Sequence, residues 1–264
     1  MLYRTYREEL KHVETLLEAQ GVSKRFGNGR GIGKVSLSVK AGDIVGLFGQ
    51  NGAGKTTLLK AITGLCRPDE GTIRLFGSDL NTHYEQAMTR VGCVIEAADA
   101  YEYMTGRQNL RQAARYYPGL PASRIDDVLE MTGLAPYQDE RAKHYSLGMK
   151  QRLALAAALL PDPKLVILDE PTNGLDIEGM VELRQTIARL AREEGIAFLI
   201  SSHMLSHLEP IVTTVGILHV GELIRFGRRF EIVPPDVSLE DYYLDAIQSA
   251  KGANVHERTA GKLA

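Results

Sequence analysis

The chain has 264 residues, a formal net charge of −2 at pH 7, 44% hydrophobic residues and 24% charged ones. These are the proportions of an ordinary soluble globular protein, long enough for one large domain or two small ones with a sizeable core. They exclude a strongly basic face that would by itself call for nucleic acid, and Cys66 and Cys93 offer neither metal spacing nor a disulfide framework, which fits a reducing cytoplasm.

No apolar run approaches the roughly 18 residues needed to cross a bilayer, and the stretch from Met1 to Glu9 is too charged for a signal peptide. Work at a membrane would therefore require another chain. Residues 1–13 read as a polar extension with little to bury. From Glu14 to Phe26 and from Lys34 to Val39 apolar residues alternate or cluster as in strands, around a glycine-rich turn. Phe26 sits on this entry segment, where an aromatic could stack on a nucleotide base, although a lone phenylalanine at a strand end is usually core.

A buried strand is predicted over Asp43 to Phe48 and a helix from Thr57, ended by Gly64. A strand near Thr72 to Phe76, a short helix near Glu85 to Thr89 and a strand from Val91 to Ile95 follow. Between Met104 and Leu160 the periodicity is helical, with segments near Gly106–Tyr116, Ser123–Thr132 and Gly148–Leu160. Strand character returns at Lys164–Leu168, then a helix near Glu178–Glu193 and strands at Ala197–Ser201, Val215–Leu218 and Glu222–Phe226. This is an α/β chain with a mostly parallel sheet and an inserted helical subdomain, and the tail from Ser238 carries one more helix and a polar end.

The stretch from Gly49 to Thr57, GQNGAGKTT, fits the phosphate-loop pattern G-x-x-x-x-G-K-[ST], between the strand and the helix that the pattern requires. Gly49, Asn51, Gly52, Ala53, Gly54 and Thr57 would bring backbone N–H groups against phosphate oxygens at a helix N-terminus. Lys55 would reach the β and γ phosphates of a nucleoside triphosphate, and the Thr56 hydroxyl would ligate Mg²⁺. A second motif lies downstream, where four apolar residues run into Asp169 and Glu170 at the C-terminal edge of a strand, where ligands of open α/β sheets bind. Asp169 suits the Mg²⁺ shell, and Glu170 suits a base that orients an attacking water.

With these motifs the chain, from about residue 14 to 230, resembles the ATP-binding-cassette (ABC) ATPases, which have a P-loop NTPase (RecA-like) core with an N-terminal antiparallel β region. Tyr145-Ser146-Leu147-Gly148-Met149-Lys150-Gln151 is similar to that family's signature, Gly174-Leu175-Asp176 to the loop after the catalytic acid, and His203 to its switch histidine. The resemblance implies an ATP-binding core at 14–96 and 162–230, a helical signature subdomain at 97–161 and a C-terminal helix and tail at 231–264. It implies that Ser146 and the Gly148 N–H bind the γ-phosphate of ATP held by an opposite subunit, so that the chain dimerises around two ATP molecules. It also implies that Asp176 positions groups across that interface, that His203 bonds the γ-phosphate and the attacking water, and that Phe26 stacks on adenine.

Two departures matter. Glu96 stands where the family usually has a glutamine, so it would either join Thr56 and Asp169 around Mg²⁺ as an added negative charge or lie exposed with the glutamine's role lost. Leu147 replaces a signature glycine, and His207 and Thr213-Thr214 differ from the common acidic pattern nearby. The stretches Val94–Tyr101 and Met104–Leu110 are similar to the subgroup serving bacitracin and lantibiotic resistance exporters. The resemblance implies a peripheral ATPase at the cytoplasmic face of the membrane, working with a separate permease and with a second ATPase chain, identical or a paralogue. A soluble relative acting on DNA or ribosomes would be expected to carry coiled-coil or zinc insertions, or two cassettes; none is present.

Overall fold

In the computed structural model, residues 14–96 and 99–260 are described, with side chains as far as 252. The expected extension at 1–13 and the polar end beyond 260 lie outside them. Ten strands are described: β1 (Thr15–Arg25), β2 (Gly31–Lys40), β3 (Ile44–Phe48), β4 (Glu70–Leu75), β5 (Ser78–Asp79), β6 (Val91–Val94), β7 (Leu165–Leu168), β8 (Ala197–Ser202), β9 (Thr214–His219) and β10 (Glu222–Arg228). The helices are α1 (Lys55–Ile62), α2 (Tyr84–Met88), α3 (Gly106–Ala114), α4 (Arg124–Met131), α5 (Leu147–Leu159), α6 (Ile177–Glu193), α7 (Leu205–Leu208), α8 (Arg229–Ile232) and α9 (Leu239–Ala260).

The strands form two sheets. One is antiparallel, in the order β2-β1-β4-β5; the other runs β10-β9-β3-β8-β7-β6 and is parallel except for β10 at its edge. The central strands of the second sheet are apolar without a break because both faces are covered. Val45 and Leu47 of β3 join Leu17, Val35, Leu58 and Leu59 on the side of the antiparallel sheet and α1. Ile44 and Phe48 join Leu155, Leu183 and Ile187 on the opposite side. The alternation is the two-residue period of a strand, so one short run of five residues bonds two cores into one body.

The predicted strands and long helices are found with ends shifted by no more than two residues, except that β2 begins at Gly31 rather than Lys34. Lys24 and Ile32 already pair, and a Cβ on Gly31 would lie 1.8 Å from the Lys24 carbonyl oxygen, so the glycine lets the hairpin continue that far. β5, α7 and α8 were not anticipated: each is too short to show a period.

The helical region enters between two strands that are themselves neighbours. β6 and β7 pair in parallel, Val91 opposite Leu165, and the chain between them carries α3, α4 and α5. α3 begins with a capping box in which the Thr105 hydroxyl accepts from the Gln108 N–H while the Gln108 side chain accepts from the Thr105 N–H. α5 returns against β6 at Gly92, where a Cβ would lie 2.1 Å from the Ala158 carbonyl oxygen. Gly92→Ala must push β6 and α5 apart. We expect a loss of about 2–4 kcal/mol in denaturant unfolding, and a loss below about 0.5 kcal/mol would show that the two elements separate freely.

Candidate active site

Three strand ends of the parallel sheet converge on one carboxylate. β3 leads into the loop from Gly49, whose N–H donates to the Ser202 carbonyl at 3.3 Å, and α1 starts at Lys55. Gly52 and Gly54 carry φ of 82° and 107°, backbone that an L side chain rarely adopts. Lys55 is buried, 5% exposed, and its Nζ donates to the Gly49 carbonyl at 2.6 Å and the Gln50 carbonyl at 3.3 Å. Glu170 Oε1 lies 3.0 Å from the same Nζ, off hydrogen-bond alignment, so this contact is an ion pair. Glu170 Oε2 takes His203 at both its Nδ1 (2.8 Å) and its backbone N–H (3.3 Å). Lys55 at the start of α1, Glu170 just beyond β7 and His203 just beyond β8 therefore form one connected group.

Glu170 sits at φ 49°, a left-handed conformation for a residue with a side chain. Such strain, of order 1–3 kcal/mol, is held where the surroundings over-determine it. Ser201 is part of what holds it: its Oγ donates to Asp169 Oδ1 at 2.6 Å and accepts from the Glu170 N–H at 2.9 Å. Sequence reasoning placed Ser201 only at the end of a strand, and nothing in its spacing says that it orients both acids. Burial raises the pKa of Glu170, but the hydrogen bond from His203 and the charged Lys55 beside it outweigh that and hold the carboxyl below its ordinary value. At neutral pH it is therefore a carboxylate already hydrogen-bonded to the histidine beside it.

A second cluster joins other residues of interest. Ser146 caps α5, its Oγ accepting from the Met149 N–H at 3.2 Å, and Asp176 caps α6 by accepting from the Gly179 N–H at 2.9 Å. The two caps are brought side by side: a Cβ on Gly148 would lie 3.3 Å from the Gly179 Cα, and one on Gly174 would lie 3.1 Å from Leu147 Cδ2. Gly179, absent from the sequence reading, makes this approach possible. Ser146 and Asp176 bond within the first turns of their own helices, and Ser146, Leu147, Asp176 and Ile177 are exposed at the two helix starts while Gly148 is buried.

Phe26 is partly exposed in the turn after β1, with Lys24 Nζ 6.0 Å from its ring centre. That turn lies by the phosphate loop, since a Cβ on Gly54 would lie 3.2 Å from the Gly31 carbonyl oxygen. Glu96 is 64% exposed at φ 71°, and its carboxylate pairs with Lys60 at 2.5 Å, on the far turn of α1 from Thr56. His207 and Thr213, which the sequence left without an account, acquire one. His207 Nδ1 bonds Thr172 Oγ1 at 3.1 Å, tying α7 to the loop after Glu170. Thr213 Oγ1 accepts from the Ile44 N–H at 3.0 Å and holds β9 to β3.

Comparison with known proteins now bears on this geometry. A sequence model of the family described as "ABC transporter" matches residues 32–173. The bacitracin transport ATP-binding protein BcrA of Enterococcus faecalis is 40% identical over 212 residues, which is 80% of this chain and 69% of the relative. The chain belongs to the ABC transporter family. The lantibiotic transport ATP-binding protein SrtF of Streptococcus pyogenes is 35% identical over 79% of this chain and 89% of its own length. A solved structure titled "Structure of ATP binding subunit of ABC transporter" superposes with a TM-score of 0.76 at 30% identity, over 88% of this chain and all of that one.

This ABC protein is thus an ATP-binding and ATP-hydrolysing subunit of a transporter, on the expected P-loop NTPase fold with its antiparallel sheet and helical insertion. ATPase subunits of this family work with a transmembrane permease, and no helix among the described residues of this chain is long and apolar enough to cross a membrane.

The Glu170 group makes the acid limb of stability testable. A carboxyl with a depressed folded pKa contributes stability that is complete above its ordinary value and is lost as pH falls through the folded one. Between about pH 5 and 3, wild type should lose unfolding free energy more steeply than Glu170→Gln. Parallel acid limbs in denaturant titrations would remove the pair from the stability account.

Proposed function

We propose that this ABC ATPase drives export of a peptide antibiotic of the bacitracin or lantibiotic kind through a separate permease, as one of two cassettes that close over two ATP molecules. The outward-facing pair of helix starts carries this reading. Ser146 and Gly148 present a helix N-terminus suited to a phosphate, yet the Ser146 hydroxyl bonds within α5 and Gly148 packs closely on Gly179 rather than on the loop around Lys55. Around them Leu147, Ile177 and Met204 are large apolar residues left exposed on the segments that carry Ser146, Asp176 and His203. Both features suit a second cassette, identical or a paralogue, whose ATP would meet Ser146 and Gly148. The names of BcrA and SrtF support the cargo.

In this reading residues 14–96 and 162–230 form the ATP-binding core, 97–161 the helical subdomain, 231–264 a C-terminal helix and tail, and 1–13 an N-terminal extension. Phe26 stacks on adenine, and Gly49, Asn51, Gly52, Ala53, Gly54, Thr56 and Thr57 cradle the phosphates. The hard oxygen donors Thr56 and Asp169 fit Mg²⁺, which when bound would offset phosphate charge. Glu96 could reach that shell only by giving up Lys60. When ATP enters, Lys55 exchanges the two loop carbonyls and Glu170 for phosphate oxygens. Glu170, kept ionised, then turns to orient water, while His203 holds the γ-phosphate and Asp176 aligns the opposite site.

The permease surface lies on the exposed stretch before α3. Tyr101, 56% exposed, packs its ring 6.0 Å from that of Tyr103, and its backbone N–H is fixed by the Asn109 side chain at 2.8 Å. Tyr101→Asp should abolish export while the basal ATPase rate stays within about twofold; export at the wild-type rate would place the contact elsewhere. The whole reading is tested with tagged Glu170→Gln chain, in which slowed hydrolysis should hold the closed pair, mixed with ATP and detergent-solubilised membranes of the source cell. Co-purification of a polytopic membrane protein is expected. Recovery of ribosomes or DNA in its place would end the transport assignment.

A further inference from the structure

The family match stops at residue 173, yet a turn well beyond it reaches the phosphate loop. β9 runs parallel to β3 with Ile217 opposite Phe48, so the two strands leave the sheet side by side. A Cβ on Gly49, the first residue of the loop, would lie 2.4 Å from the Leu218 carbonyl oxygen. β9 then passes into β10 through two residues, Val220 and Gly221, between the paired His219 and Glu222. Their φ angles of 48° and 83° are both positive, as the common two-residue hairpin turn requires. A β-branched residue seldom takes that conformation, and Val220 is exposed, so burial of its own side chain does not hold it there. The tip is held by what its backbone touches.

In such a turn the ladder uses the backbone groups of the flanking pair and leaves those of the two central residues for other partners. Both groups of Gly221 find one. Its N–H donates to the Ala53 carbonyl at 2.9 Å, and its carbonyl accepts from the Gly33 N–H at 2.9 Å. Ala53 belongs to the phosphate loop, and Gly33 lies on β2, the strand that follows the turn carrying Phe26. Only glycine fits between them, since a Cβ at position 221 would lie 2.6 Å from the Gly31 carbonyl oxygen. One residue of the hairpin thus clasps the phosphate loop to the antiparallel sheet.

We propose that Gly221 is a positioning residue for nucleotide binding, which aims the Gly54 N–H at a phosphate oxygen by holding the peptide between Ala53 and Gly54. The Ala53 carbonyl and the Gly54 N–H belong to one planar trans unit, in which they point in opposite directions. Fixing the first toward the hairpin therefore fixes the second away from it. That N–H has no protein partner among the described residues, while the Gly54 carbonyl already accepts the Leu58 N–H at 2.9 Å in the first turn of α1. Gly54 itself, at φ 107°, has a glycine's freedom and does not lock the plane before it. A rotation of that plane by about 60° takes a straight N–H···O contact to about 120°, where hydrogen bonding fails. Accepting a bond at the carbonyl also polarises the peptide and strengthens its N–H as a donor. None of these contacts has to break when a phosphate arrives, because the clasp uses the carbonyl side of the loop and the phosphate its N–H side. The inference rests on the reading of residues 49–57 as the phosphate cradle and is independent of the permease and its cargo.

Two variants of the full chain test it. Gly221→Ala adds the methyl group that meets the Gly31 carbonyl and displaces the tip. Glycolic acid placed at position 221 by cell-free synthesis turns the amide into an ester, which removes the N–H donor and adds no side chain; should Gly221→Ala not fold, the ester decides alone. In calorimetric titration ADP binding should weaken about three- to tenfold in the ester and about tenfold in Gly221→Ala, with KM for ATP raised by the same factors. The kcat at saturating ATP should stay within about twofold, because a phosphate contact that ATP and ADP share is uniform binding. A role confined to stability gives the opposite split: fewer folded molecules, hence fewer binding sites and a lower kcat, with ADP affinity and KM unchanged. That split in Gly221→Ala, or wild-type ADP affinity in the ester, overturns the proposal. Failure of the wild-type chain to bind ADP would strike the phosphate-loop reading itself, and is recognisably different from tight binding that the variants leave untouched.

Discussion

A lysine ammonium buried to 5% exposure has to be compensated, and the site is arranged around that requirement. An unpaired buried charge costs several kcal/mol, so Lys55 gathers two carbonyls of its own loop and the carboxylate of Glu170. Glu170 in turn engages His203 and receives support at its backbone from Ser201. The demand of one cation therefore aligns the C-terminal ends of β3, β7 and β8. It also leaves the lysine bound to groups that phosphate oxygens can replace without uncovering an uncompensated charge. The same exchange releases a carboxylate already ionised, in the place where a base is needed.

Close backbone approach is the other constraint. Gly92 lets α5 lie on β6, and Gly148 and Gly179 let the starts of α5 and α6 meet. The helical insertion is consequently fixed at both ends: by the sheet at Gly92 and by the cap pair near Ser146 and Asp176. Both helix starts then turn outward together, with exposed Leu147 and Ile177 beside them. A surface built in this way suits a partner that approaches both starts at once.

Most of the fold was legible because its signals are local. The strand from Ile44 to Phe48 is short and wholly apolar, the glycine loop follows it, and long helices show their period. The pieces missed, β5, α7 and α8, have two to four residues and carry no period. Of the site, Lys55 and the acids Asp169 and Glu170 could be read from motif and position. Ser201 and Gly179 could not, since a serine in a strand and a glycine in a helix have no spacing that betrays what they will touch. Glu96 shows the converse: its place in the chain suggests a metal ligand, while its side chain rests on Lys60.

The sequence by itself determined the phosphate loop, the order of strands and helices, and the residue types able to hold a triphosphate, because these depend on neighbours along the chain. Only the tertiary structure decided that Lys55, Glu170 and His203 form one group and that Thr213 and His207 act as ties. Those contacts join residues far apart in sequence. Their geometry is set by sheet register and by the packing of two cores, which no local pattern encodes.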